Sequence, residues 1–128
     1  MAGFWKKKKV LVTGANGFIG AWVCHSLVDE GANVIGLVHG EHGLLESHGI
    51  EEKVKQVRAD IRDAIQIEKA FDEHKPELCF HLAAKSSTRD AAIDTEDTFK
   101  TNVGGTLNVL DAAKNTGAGV VFVSSVKV

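Results

Sequence analysis

Short apolar runs alternate with longer amphipathic stretches along the whole chain. Five of these runs are apolar enough to form buried strands, at residues 10–13, 33–38, 54–59, 78–84 and 119–125. The stretches between them repeat apolar residues every three to four positions, which is typical of helices. We predict helices over 18–31, 63–74 and 94–115, and one or two helical turns within 41–49. In these helices Trp22, Ile65, Ile67, Ala70 and Phe71 are predicted to face the core.

Strands that are apolar throughout and separated by helices indicate a parallel sheet with both faces covered. Right-handed crossovers then produce a doubly wound α/β fold with the first strand near the middle of the sheet. The length of 128 residues suits a single domain over 1–128. We therefore predict a doubly wound parallel sheet, truncated after about five strands.

A glycine-rich turn, "TGANGFIG" at residues 13–20, joins the first strand to the first helix. Gly14 allows a tight turn, Gly17 lets the backbone approach a pyrophosphate, and Gly20 lets the helix pack close to the sheet. We expect Thr13 and Asn16 to form hydrogen bonds within this loop. No Lys-Ser or Lys-Thr follows, so the turn predicts a Rossmann-like dinucleotide site rather than an ATPase loop. The alternative is an ordinary strand-to-helix turn that is rich in glycine.

Charge and composition remove several function classes. A net charge of −2 gives no reason to expect a nucleic-acid partner, and no apolar stretch is long enough to suggest a membrane partner. Two cysteines without a motif suggest a reducing compartment, and we predict a cytoplasmic protein. The spacing of His39, His42 and His48 matches no closed zinc site, so no metal is predicted. For His81, a buried and hydrogen-bonded ring is favoured over a catalytic one.

Four segments together resemble the extended short-chain dehydrogenase/reductase family. They are "TGANGFIG" at 13–20, "ADIRD" at 59–63, "FHLAA" at 80–84 and "TFKTNVGGTLNVLDAA" at 98–113. Within that family the chain is most similar to sugar-nucleotide 4,6-dehydratases, especially the CDP-glucose 4,6-dehydratase-like group, with UDP-sugar epimerases as near neighbours. The resemblance implies an NAD or NADP cofactor and a nucleotide-sugar substrate that is oxidised at the sugar C4 by hydride transfer.

The resemblance also implies roles for individual residues. At the pyrophosphate these are Gly14, Asn16, Gly17, Phe18, Ile19 and Gly20. Asp60 and Ile61 match the adenine-binding positions, although Asp60 could instead cap the following helix. Four residues match the family's segment near the nicotinamide ribose, namely Leu82, Ala83, Ala84 and Lys85. Asn102 matches an asparagine that braces the fourth strand, and Ser125 matches the catalytic serine or threonine after the fifth.

The chain departs from the family pattern in two places. No acidic residue follows the second strand where NAD enzymes hold the ribose, and His39 occupies that position, so NAD and NADP both stay open. The family's Tyr-x-x-x-Lys pair is missing, because the 128 residues contain no tyrosine. We expect the N-terminal part of an enzyme, catalytically incomplete by itself, or alternatively a non-catalytic dinucleotide-binding module. A homo-oligomer is expected, since the helix from Asp94 forms a two-fold interface in this family and the fifth strand is an apolar edge.

Overall fold

Five parallel strands form one sheet in the computed structural model, which describes residues 3–40, 43–83 and 94–123. The strands are β1 (Lys9–Thr13), β2 (Asn33–Val38), β3 (Val54–Arg58), β4 (Leu78–His81) and β5 (Gly119–Phe122). Their order across the sheet is β3-β2-β1-β4-β5, so the chain reverses its direction of winding between β1 and β4. This order confirms the predicted doubly wound fold with β1 in the middle.

Helices cover both faces of the sheet. They are α1 (Phe18–Asp29), α2 (Ala64–His74), α3 (Thr95–Phe99) and α4 (Gly105–Thr116), with a π turn (Lys100–Gly104) between the last two. No helix of the described ranges is both long enough and apolar enough to cross a membrane. The face bearing Leu11 packs under α2 and α4, while Val10 and Val12 pack against α1. β1 is therefore buried on both sides, as its unbroken apolar run predicts.

β4 ends three residues earlier than predicted, at His81. Beyond that point the backbone N–H groups of Leu82 and Ala83 donate to the Thr13 hydroxyl, at 2.9 and 3.0 Å, instead of to a neighbouring strand. A side chain at the end of β1 thus stops the ladder. β3 and β5 are also shorter than predicted, ending at Arg58 and Phe122.

The long helix predicted over 94–115 is divided by the π turn. Gly104 and Gly105 lie where the helix changes pitch, and glycine weakens an α-helix through its backbone entropy. A Cβ on Gly105 would lie 2.6 Å from Ile61 Cδ1, so α4 packs directly against the Ile61 side chain, which an alanine would have to displace. Asn108 of α4 donates to the Ile61 carbonyl at 2.8 Å and anchors the same contact.

Two predicted core residues are exposed, which corrects the sequence interpretation. Trp22 is 54% exposed and Ile65 is 78% exposed. In α2 the buried face consists of Ile67, Ala70 and Phe71. Ile65 precedes Ile67 by two positions, and residues two apart on a helix point in nearly opposite directions. Trp22 follows the buried Ala21 by one position and so lies off the inner face of α1.

Candidate cofactor site

A cavity of about 400 Å³ opens at the carboxyl edge of the sheet, where the winding reverses between β1 and β4. Its walls come from the glycine turn, from the residues after β2, β3 and β4, and from Asp97 and Thr101 on the α3 side. In doubly wound folds, ligands bind in the crevice at such a reversal point. The cavity therefore lies where the fold itself provides a binding site.

Two of the three glycines in the turn are required by the fold. Gly14 adopts φ +65°, and a Cβ there would lie 3.0 Å from the backbone of Ala83. A Cβ on Gly20 would lie 1.9 Å from the Gly14 carbonyl oxygen. Gly14 thus permits the turn, and Gly20 permits the close approach of α1 to the turn. The role of Gly14 is the predicted one, whereas the atoms nearest to Gly20 belong to the turn itself and not, as predicted, to the sheet.

Gly17 is different, because its own surroundings leave more room. A Cβ on it would contact only the Gly14 carbonyl oxygen, at 3.3 Å, and its φ of −81° suits any residue. Gly17 is the N-cap of α1, lines the cavity, and no side chain caps this helix. The first turn of α1 also has no acidic residue. Free amide groups and the positive end of a helix therefore favour a phosphate here. The residues at this position thus fit the pyrophosphate of a dinucleotide.

Asn16 ties the glycine turn to the loop after β2. The side-chain NH₂ group of Asn16 donates to the main-chain carbonyl of His39 at 3.3 Å. The main-chain carbonyl of Asn16 accepts from the main-chain amide of Leu44 at 3.0 Å. Gly43 packs so close that a Cβ would lie 2.2 Å from Asn16 Cβ. Asn16 thus forms hydrogen bonds with the neighbouring loop. It fixes the wall of the cavity on the β2 side.

Thr13 and His81 join the ends of β1 and β4 below the cavity. Both are buried, and Thr13 Oγ1 lies 2.8 Å from His81 Nδ1. Because the Thr13 oxygen already accepts from the amides of Leu82 and Ala83, its single proton must be donated to His81 Nδ1. Thr13 was predicted to bond within its own loop, but the hydroxyl partners described above are His81 of β4 and the two residues that follow it. The hydroxyl shapes the chain segment that forms the far wall of the cavity.

The second ring nitrogen of His81 continues this network. Nε2 lies 3.0 Å from the Thr106 hydroxyl, which itself donates to the Asn102 carbonyl at 2.6 Å. His81 Nε2 must therefore carry the ring proton and donate it. Burial lowers the pKa of His81, in agreement with a neutral ring. The predicted buried, hydrogen-bonded histidine is confirmed, and it links β4 to the π turn.

Asp60 lies at the cavity wall after β3 and is held by Arg62. The Arg62 guanidinium donates to both Asp60 carboxylate oxygens, at 2.8 to 3.2 Å, and reaches Asp97 of α3 as well. The hydrogen bond from Arg62 is the main reason that the pKa of Asp60 is lowered. His39 Nε2 lies 3.7 Å from the same carboxylate. Asp63, not Asp60, caps α2, so the capping alternative for Asp60 is wrong.

The structure brings most of the predicted cofactor residues to one cavity. Those lining it are Gly14, Asn16, Gly17, His39, Asp60, Ile61, Leu82 and Ala83. The side chains of Phe18 and Ile19 instead line a separate apolar groove with Trp5 and Trp22. Asn102 lies in the π turn, and Ala84, Lys85 and Ser125 lie outside the described residues.

Three polar residues of this region have no predicted site role. Arg62, Asp97 and Thr101 all line the cavity. The only sequence signal for Arg62 is its position between two aspartates in "ADIRD". Asp97 is 35 positions from Arg62, so their contact could not be read from spacing.

Comparison with known proteins agrees with this geometry. The model of the NAD dependent epimerase/dehydratase family matches residues 10–128. The chain belongs to this family. Among curated family relatives, it is 34% identical to CDP-glucose 4,6-dehydratase of Salmonella typhimurium strain LT2, over 89% of this chain and 33% of that protein. The NAD dependent epimerase/dehydratase assignment thus rests on a match across nearly the whole sequence.

Solved structures of epimerases show the same fold. An epimerase from Methanothermobacter thermautotrophicus superposes with a TM-score of 0.86 and 32% identity, covering 95% of this chain and 36% of that one. UDP-glucose 4-epimerase of Thermus thermophilus, solved in complex with NAD, gives a TM-score of 0.84 and 35% identity, covering 91% and 37%. The chain spans about a third of the length of the curated relatives and solved structures that it matches.

Proposed function

We propose that this chain forms the dinucleotide-binding part of an enzyme that acts on a nucleotide sugar. The observation that carries the proposal is the surface at Gly17, where uncapped amides of α1 meet a cavity at the reversal point of the sheet. Gly17 and Asn16 would hold the pyrophosphate side, and Asp60 and Ile61 the adenine side. Family membership supports a nicotinamide dinucleotide as the ligand.

We further propose that the cofactor is NAD rather than NADP. The position after β2 holds His39, whose ring lies 3.7 Å from the Asp60 carboxylate. This carboxylate is negatively charged at neutral pH, and the hydrogen bond from Arg62 lowers its pKa further. An additional 2′-phosphate at this end of the cavity would approach a negative charge, which disfavours NADP. The arginine itself is already engaged by Asp60 and Asp97.

The proposed reaction is that of a sugar-nucleotide 4,6-dehydratase or 4-epimerase. The bound dinucleotide would supply a hydride acceptor for the sugar C4. The 128 residues contain no tyrosine, so the family's proton-transfer tyrosine is not among them. We therefore propose that these residues bind the cofactor but do not complete the reaction by themselves, with Ser125 as the one catalytic position they contain.

Calorimetric titration of the 128-residue chain with NAD⁺ and with NADP⁺ tests the cofactor proposal. Gly17→Ala should keep the fold, because its Cβ has only one close contact. It should weaken NAD⁺ binding about tenfold or more, the equivalent of one or two hydrogen bonds to a charged group. Gly104→Ala is the matched control, since a Cβ there meets nothing within 4 Å and Gly104 does not line the cavity.

Three outcomes would contradict the proposal. A folded chain that binds neither dinucleotide would show that these residues do not form a working cofactor site. Tighter binding of NADP⁺ than of NAD⁺ would contradict the role given to Asp60 and His39. Reduction of NAD⁺ by the chain on addition of CDP-glucose or UDP-glucose would contradict its catalytic incompleteness.

A further inference from the structure

Two histidines meet outside the cofactor cavity. His25 of α1 and His48 of the turn over residues 44–49 approach through their Nδ1 atoms, which are 3.3 Å apart. Both side chains are partly buried, and the Trp22 ring packs edge-on against His48 with a centroid distance of 4.5 Å. The pair is therefore held in place by a helix, a turn and an aromatic ring.

Asp29 lies beside the second ring nitrogen of His25. Its carboxylate oxygen Oδ2 lies 3.2 Å from His25 Nε2, one helical turn further along α1. The nearby carboxylate favours the neutral ring tautomer that carries its proton on Nε2, and in this tautomer the lone pair of Nδ1 is available to His48. Histidines that bind metals usually donate their other N–H to a carboxylate in this manner. His25 thus has the tautomer and the support of a metal ligand.

We propose that His25 and His48 form a binding site for a divalent transition-metal ion such as Zn²⁺. Two imidazole nitrogens bound to one tetrahedral zinc at about 2.0–2.1 Å lie about 3.3–3.4 Å from each other. The two Nδ1 atoms have this separation.

Metal binding replaces the hydrogen bond between the two rings. His25 already offers its Nδ1 lone pair, so His48 donates the proton of its own Nδ1 in the metal-free pair. When the ion binds, this proton moves from Nδ1 to Nε2 of His48, and both rings stay neutral. Among the described residues no group of three or more histidine, cysteine or acidic side chains is arranged to hold a metal. The proposed ion is held by these two side chains, with water at its remaining positions.

The spacing of histidines in the sequence does not predict this site. His25 and His48 are 23 positions apart and lie on different elements. His39, which is closer to His48 in sequence, lies beside Asp60 at the cofactor cavity instead. The proposal therefore rests on the folded arrangement, and it is independent of the cofactor proposal.

Titration of the metal-stripped chain with ZnCl₂ by calorimetry, and with CuCl₂ by tryptophan fluorescence, tests the site. We expect one saturable event, with Cu²⁺ quenching the emission of the adjacent Trp22. His25→Gln and His48→Gln should each abolish the event, whereas His39→Gln should leave it unchanged. Trp22→Phe should remove the quenching but keep the heat of Zn²⁺ binding.

A further variant separates metal binding from a structural role of the histidines. Asp29→Asn changes an exposed side chain and leaves both ligands in place. It should weaken Zn²⁺ binding by about tenfold to a hundredfold through loss of the orienting carboxylate. The proposal is overturned if no saturable event occurs, if His25→Gln or His48→Gln binds like the parent, or if His39→Gln loses binding equally.

Discussion

Replacing Gly20 by alanine sets two opposing effects against each other. Alanine is the better helix former by about 1 kcal/mol, so helix propensity alone predicts stabilisation of α1. The new Cβ, however, would lie 1.9 Å from the Gly14 carbonyl oxygen, about 1 Å inside the shortest separations that real Cβ atoms show. Because the contacted atom belongs to the backbone, α1 must move. Overpacking of this kind costs about 3 kcal/mol, at the upper end of its usual range.

The overlap therefore outweighs the propensity, and Gly20→Ala should lower the free energy of unfolding by about 2 kcal/mol. In a protein of this size, that change lowers Tm by about 6–10 °C. Gly104→Ala has the same propensity gain without a neighbour within 4 Å, and should raise Tm by about 3–5 °C. Thermal unfolding followed by circular dichroism compares the two. A Gly20→Ala chain as stable as its parent would refute the argument from close approach.

Three other substitutions test the network and the cavity wall. Thr13→Val should destabilise the chain by about 3 kcal/mol, because it leaves two amides and a ring nitrogen without their shared partner; an effect below about 1 kcal/mol in urea unfolding would contradict this. Since burial lowers the pKa of His81 below its ordinary 6.5, the folded state binds fewer protons there than the unfolded state. Stability from this group is present above about pH 6.5 and is lost as the pH falls through the folded-state pKa. His81→Gln should flatten that part of the pH profile of ΔG, and an unchanged profile would count against the assignment. Arg62→Ala should raise the pKa of Asp60 towards its ordinary 3.8 and weaken NAD⁺ binding, as followed by NMR titration and calorimetry; equal NAD⁺ affinity would remove Arg62 from the site.

The sequence predicted the sheet and the glycine turn because both depend on local signals. Apolar runs and helical periodicity identify the strands and helices, and the positions of Gly14 and Gly20 follow from the geometry of one turn. The same reasoning failed for Trp22. Helical periodicity shows that a helix has an apolar face, but a large apolar residue next to that face is not distinguished from one within it.

Contacts between distant segments could not be predicted. Thr13 and His81 are 68 positions apart in the sequence. Only the folded sheet shows that the Thr13 hydroxyl forms a hydrogen bond with His81 and that the same hydroxyl ends β4. The π turn over Lys100–Gly104 was also missed, since the apolar periodicity of 94–115 fits one continuous helix. Arg62 is a third example, because its role depends on Asp97 from another helix.

The π turn has a consequence for the phase of the helix that contains it. A π turn contains one residue more than an α-helical turn. The side chains before it and after it therefore point in directions that a continuous α-helix would not give them. If the same residues formed one continuous α-helix fixed at Gly105, Asp97 would be rotated by about 100° around the axis and carried away from Arg62. Because of this one additional residue, Asn108 of α4 keeps its hydrogen bond to the Ile61 carbonyl. At the same time, Asp97 of α3 stays in contact with Arg62 at the cofactor cavity.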